Sequence, residues 1–137
     1  MSALQGDADT PRPPDYRDDQ GELVRAHRLY TGLSQRTFAA RMRIQERSLS
    51  DIEVGRRSCP PGFIDTVAKV VDEFDADVDL AIERAESMIA ANDDGTGIVT
   101  VTVSLRSRDE WQRVVLGRAA ITSGVILPAT PPFVPAE

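Results

Sequence analysis

The chain has one cysteine, one histidine, one tryptophan and an aromatic share of 5%. Each scarcity excludes something. Cys59 alone cannot close an internal disulfide, and together with His27 it falls short of the four ligands of an ordinary structural zinc site. His27 has no nucleophile or carboxylate companion in sequence that would point to catalysis, and no glycine-rich loop opens a helix to cradle phosphate. The longest apolar run is far short of the ~18 residues a membrane span needs. No basic stretch precedes an apolar one at the start of the chain. These absences predict a soluble, cytoplasmic protein that is not an enzyme, holds no metal and uses no cofactor.

What is present is a modest apolar fraction and an uneven charge. A chain of 137 residues, 41% hydrophobic, makes one compact unit or two small ones. The net charge is −6, yet between Glu22 and Arg57 eight arginines (25, 28, 36, 41, 43, 47, 56 and 57) face four acids (Glu22, Glu46, Asp51 and Glu53). That stretch carries +4 and the remainder −10. Such a split predicts one basic face for a polyanion, with the acidic remainder pointed away from it.

The basic stretch has helical grammar. Gly21 to Tyr30 reads as a helix with Leu23, Ala26 and Leu29 or Tyr30 inward, ended by Thr31-Gly32. Ser34 is a good N-cap for a helix through Arg41 with Phe38 and Ala39 facing inward. A further helix spans Gln45 to Val54: Leu49, Ile52 and Glu53 point one way and Glu46, Arg47, Ser48 and Asp51 the other, with Gly55 as the stop. After a Pro-Pro-Gly loop, Phe63 to Phe74 forms a fourth helix. Two short helices around a tight turn are the layout of a helix-turn-helix DNA reader.

The run LSQRTFAARMRIQERSLSDIEVGRR resembles the Xre / Cro-C1 family of repressors, over residues 22 to 74. Its Ser-Gln opening, the small Ala39 between the helices, the apolar Ile44 in the turn and Ile52-Glu53-Val54-Gly55 all match. The resemblance implies that Gln45, Glu46, Arg47, Ser48 and Asp51 enter the major groove. Arg47 suits guanine O6 and N7, while Glu46 or Asp51 either accepts from cytosine N4 or orients Arg47. Gln35 matches the family glutamine that bonds a phosphate, with Arg36, Arg43, Arg56 and Arg57 as further phosphate contacts. Arg28 and Glu53 match positions that form a partly buried ion pair, a structural role that outweighs DNA contact for Arg28 because Glu53 would otherwise be a costly lone carboxylate.

The flanks read differently. Residues 1–20 are Pro- and Asp-rich with little to bury, as a disordered arm would be, and residues 128–137 form a Pro-rich tail. Asp75-x-Asp77-x-Asp79 has calcium-loop spacing, but Leu80 stands where that loop needs glycine, so these acids read as capping a helix from Asp77 to Ala91. Residues 98 to 105 alternate as a strand, and Ser107 with Glu110 makes a capping box for a helix closed near Gly124. Val125-Ile126-Leu127 is a candidate second strand. A sheet this small is marginal alone. A second copy is therefore expected to complete it, through Val78, Ile82, Met88, Ile89, Val99, Val101, Val103, Trp111 and Val115.

The expected architecture is thus mainly α: a four- to five-helix Cro/C1-type DNA-binding head over 21–74, then a small α+β helix-strand-helix dimerisation segment over 75–127. That layout is similar to the anti-CRISPR-associated repressors. Two functions fit. One is a homodimeric, sequence-specific repressor of double-stranded DNA at an inverted repeat. The other is the DNA-binding antitoxin of a toxin-antitoxin pair, with the C-terminal part holding the toxin.

Overall fold

A computed structural model of the chain describes residues 17–92 and 95–132. Helix α1 spans Gly21–Thr31, α2 Gln35–Met42, α3 Glu46–Glu53 and α4 Phe63–Ala91. Strand β1 (Val99–Thr102) follows, then a 3-10 turn (Ser107–Asp109), α5 (Glu110–Ser123) and β2 (Ile126–Ala129).

Local chemistry explains most of the boundaries. Gly32, at φ 82°, ends α1 and returns its N–H to the carbonyls of Arg28 and Leu29. The Ser34 hydroxyl caps α2 by accepting from the Thr37 N–H at 3.2 Å. Arg43, at φ 60°, closes α2 in the left-handed region and opens the turn into α3, for which Gln45 is the N-cap. Val24, Leu33, Phe38, Leu49, Val67 and Phe74 are fully buried where α1 to α4 meet. Gly21 is required by packing: a Cβ there would lie 2.2 Å from the Ile52 carbonyl oxygen, so α1 begins against the end of α3.

Several expectations change. The helices expected over 63–74 and 77–91 are one helix of 29 residues, about 43 Å long. The 74/75 boundary falls inside it. Asp75 and Asp77 therefore cap nothing; Asp75 accepts from the Tyr30 hydroxyl (3.2 Å) and Asp77 from Trp111 Nε1 (2.8 Å). The expected Ser107/Glu110 capping box does not form either. Helix α5 begins at Glu110, whose carboxylate is turned away to Ser34.

The sheet is completed within the chain. β1 and β2 pair in parallel, with Val99 opposite Ile126 and Thr102 opposite Ala129, and α5 is the crossover that parallel pairing demands. Pro128 and Ala129 thus belong to a strand rather than to the tail. Val78, Trp111 and Val115, assigned above to a second copy, are buried in one chain where α4 and α5 pack together, and Val103, also assigned there, is buried just after β1. Ile82, Val99 and Val101 are partly buried against the same core. Of that set, Met88 remains exposed and Ile89 half-exposed. The arm expected over 1–20 and the tail over 128–137 lie outside the described residues at 1–16 and 133–137; Arg17 is described and forms an antiparallel bridge with Cys59.

Candidate nucleic-acid interface

Helix α3 is held from beneath by Leu49 and Ile52, which leaves Gln45, Glu46 and Arg47 in solvent and Ser48 and Asp51 half-exposed. Among the described residues Arg47 has no hydrogen-bond or ion-pair partner. The basic pair after α3 is drawn back onto that helix. Arg56 Nε donates to the Asp51 carboxylate at 3.1 Å and Arg57 Nη1 to the Ser48 hydroxyl at 2.8 Å. Ser48 and Asp51 therefore hold Arg56 and Arg57, while Gln35, Glu46, Arg47 and Arg56 border one shallow depression of ≈ 590 Å³.

Behind α3 lies a buried polar brace. Arg28 engages Glu53 through two bonds, Nε to Oε2 at 2.7 Å and Nη2 to Oε1 at 2.9 Å. Its remaining arm donates to the Leu33 carbonyl at 3.0 Å. Gln35 Nε2 donates to Glu53 Oε1 at 3.0 Å, so Gln35 is engaged inward as well as bordering the depression. The side chains of Arg28 and Glu53 are 12% and 1% exposed. Hydrogen bonding to Glu53 raises the Arg28 pKa above the ordinary arginine value against the opposing pull of burial. The brace ties α1, the start of α2 and the end of α3 into one unit, which fixes the angle at which α3 is presented.

The other arginines divide clearly. Arg25 pairs with Glu22, and Arg41 with Glu73 while stacking 3.6 Å over the Trp111 ring. Arg36 on α2 and Arg43 at the turn are exposed and, like Arg47, have no partner among the described residues. Arg36, Arg43 and Arg47 are thus the exposed cations of α2, the turn and α3 that no acid neutralises among the described residues.

Sequence reasoning missed the clamp between this unit and the C-terminal part. Glu110 accepts from the Ser34 hydroxyl (2.6 Å) and N–H (3.3 Å) at the start of α2. Arg118 lies over the Tyr30 ring and donates to the Tyr30 carbonyl. These partners are 76 and 88 residues apart, beyond any local pattern. Cys59 is buried, and burial, helped by the nearby Asp19 charge, pushes its thiol pKa up, which disfavours the thiolate.

Residues 20–81 match the family model described as a helix-turn-helix domain. The match runs from just before α1 to within α4 and covers less than half of the 137 residues, so the likeness to helix-turn-helix domains belongs to that stretch. No curated protein and no solved structure matches the chain. No helix among the described residues is long and apolar enough to cross a membrane.

Proposed function

We propose that the protein is a sequence-specific, double-stranded-DNA-binding transcriptional repressor, acting as a homodimer on an inverted repeat and carrying out no catalysis. The observation that carries this reading is Arg47, exposed and uncommitted on the outer face of an α3 whose angle is fixed by the Arg28–Glu53 brace. A guanidinium fork so placed can engage the two major-groove acceptors of guanine together. Glu46 and Asp51 flank it, and Asp51, engaged by Arg56, acts on the position of that cation as much as on a base. Arg36 and Arg43 supply contacts to phosphate that set register without reading sequence; Arg56 and Arg57 join them when their exposed tethers to Asp51 and Ser48 exchange for phosphate.

Selection of bound duplexes from a random library tests the reading. The wild type should enrich a palindrome with half-sites about one helical turn apart. Arg47→Ala should lose preference at one base pair per half-site, about 10-fold or more in affinity there. Absence of any enriched motif overturns sequence-specific binding. A small protein co-purifying in stoichiometric amount favours the antitoxin reading over a stand-alone repressor.

A further inference from the structure

The two strands leave two outer edges, and they are not equivalent. Val99 donates its N–H to Val125 O and Val103 donates its own to Ala129 O, both at 2.8 Å. Strand geometry alternates, so the odd-numbered residues of β1 face β2, while the backbone N–H and C=O of Thr100 and Thr102 point outward. On β2 the same alternation turns Ile126 and Pro128 outward. Pro128 has no N–H to give, so that edge is blunted as natural edges are. β1 carries no proline and no charge in its four residues, VTVT. It is the open edge.

That edge borders a groove of ≈ 590 Å³, with Thr102 and Ser104 on the strand side, Leu80 and Arg84 on the α4 side and Leu116 of α5 between. Leu80 on the groove wall is 41% exposed, and further along α4, where no residue beyond Ala85 is buried, Met88 is 51% exposed, so apolar surface of α4 is still uncovered. An edge of free amides beside a wall of mixed apolar and charged side chains fits an added strand. We infer that the strand is β1 of a second copy, paired antiparallel across a two-fold axis centred on Val101.

In that register Thr100 of each copy exchanges both backbone hydrogen bonds with Thr102 of the other, and the two Val101 residues meet between them. Two-fold symmetry requires identical strands to run antiparallel here, and β1 offers the same outward groups at both positions. Charge favours a copy over an acidic or basic peptide. The groove carries both signs, with Arg41, Arg84 and Arg113 alongside Asp77 and Asp109, and so suits a surface of mixed charge. The result is a four-stranded sheet, above the two-strand limit at which such pairings are marginal. The inference rests on the homodimer proposed above and names its contact.

Thr102→Pro is the decisive variant, because it removes an outward N–H while the ladder to β2 uses the odd-numbered residues. Light scattering should give the wild type twice the 15.0 kDa chain mass. It should give Thr102→Pro the single-chain mass, with unchanged far-UV circular dichroism and wild-type affinity for a half-site duplex. Should the proline variant misfold, Thr100→Lys/Thr102→Lys keeps every backbone group, sets like charges across the two-fold axis and should weaken self-association at least 10-fold. A wild-type monomer, including one whose own residues 133–137 fill the edge, overturns the inference. So does a dimer that both variants leave intact, although the homodimer reading then survives through another surface. Arg47→Ala should stay dimeric while losing base preference, which separates failure of this contact from failure of DNA reading.

Discussion

A carboxylate taken out of water costs several kcal/mol unless it is paired, and Glu53 is met by both nitrogens of an Arg28 fork and by the Gln35 amide. The worth of that arrangement lies in what happens when a partner is lost. Arg28→Ala leaves Glu53 buried with one neutral donor, so the domain should lose about 3 kcal/mol of stability, a large share of the 5–15 kcal/mol typical of a domain. DNA affinity should fall with it, because α3 loses the contact that sets its angle. Urea denaturation and a duplex titration check the two together. An unchanged unfolding midpoint with weakened binding would instead make Arg28 a DNA contact. Arg43 shows the opposite economy: a non-glycine residue held at φ 60° is strained by roughly 1–2 kcal/mol, and what it supplies there is an exposed cation at the turn.

Between elements, α5 is fastened to the start of α2 by Glu110, and that contact titrates. Burial works to raise the Glu110 pKa, but hydrogen bonds from the Ser34 and Thr37 hydroxyls and the Ser34 N–H, with the Arg113 charge, outweigh it and leave the carboxyl below its usual value. A depressed acid binds its proton more weakly folded than unfolded. Its stabilisation is therefore fully present above the ordinary glutamate pKa of ~4.3 and is lost as pH falls through the lower folded value. Glu110→Gln should accordingly be less stable than wild type at neutral pH, with the gap closing on acidification below that range; a gap independent of pH would assign the loss to packing rather than charge. This clamp also marks where sequence reading stops. Helix α2, its Ser34 cap and the α3 face were legible because each is a short-range pattern, while the Arg28 partner, 25 residues away, came from the family resemblance. The continuity of α4 was not, since Asp75 and Asp77 look like a helix start and only Tyr30 and Trp111, far along the chain, show why they sit in mid-helix. The alternation of Val99, Val101 and Val103 gave a strand and its buried face, and Val125-Ile126-Leu127 a candidate second one, but not that the two, 27 residues apart, pair in parallel within one chain.

At the scale of the whole molecule, a chain of net charge −6 can bind a polyanion only through a local surplus of arginine. Five of the eight arginines between 22 and 57 are engaged within the fold, by Glu22, Glu53, Glu73, Asp51 and Ser48, which leaves Arg36, Arg43 and Arg47 uncommitted among the described residues. Their contributions to DNA binding are separable by salt. A cation on a phosphate releases a counterion, so each such contact steepens the fall of log K with log salt by about 0.9, whereas a cation on a base edge contributes mainly to discrimination. In a dimer Arg36→Ala removes two phosphate contacts. The slope should flatten by about 2, with affinity falling alike on operator and unrelated DNA. Arg47→Ala should leave the slope nearly unchanged while the ratio between operator and unrelated DNA collapses. Titrations of both variants across 50–200 mM salt, on matched and scrambled duplexes, test the assignment. An Arg36→Ala slope equal to wild type removes Arg36 from the phosphate set, and a flattened Arg47→Ala slope with specificity retained makes Arg47 an anchor and moves the reading of bases to Gln45 and Glu46, its exposed neighbours at the start of α3.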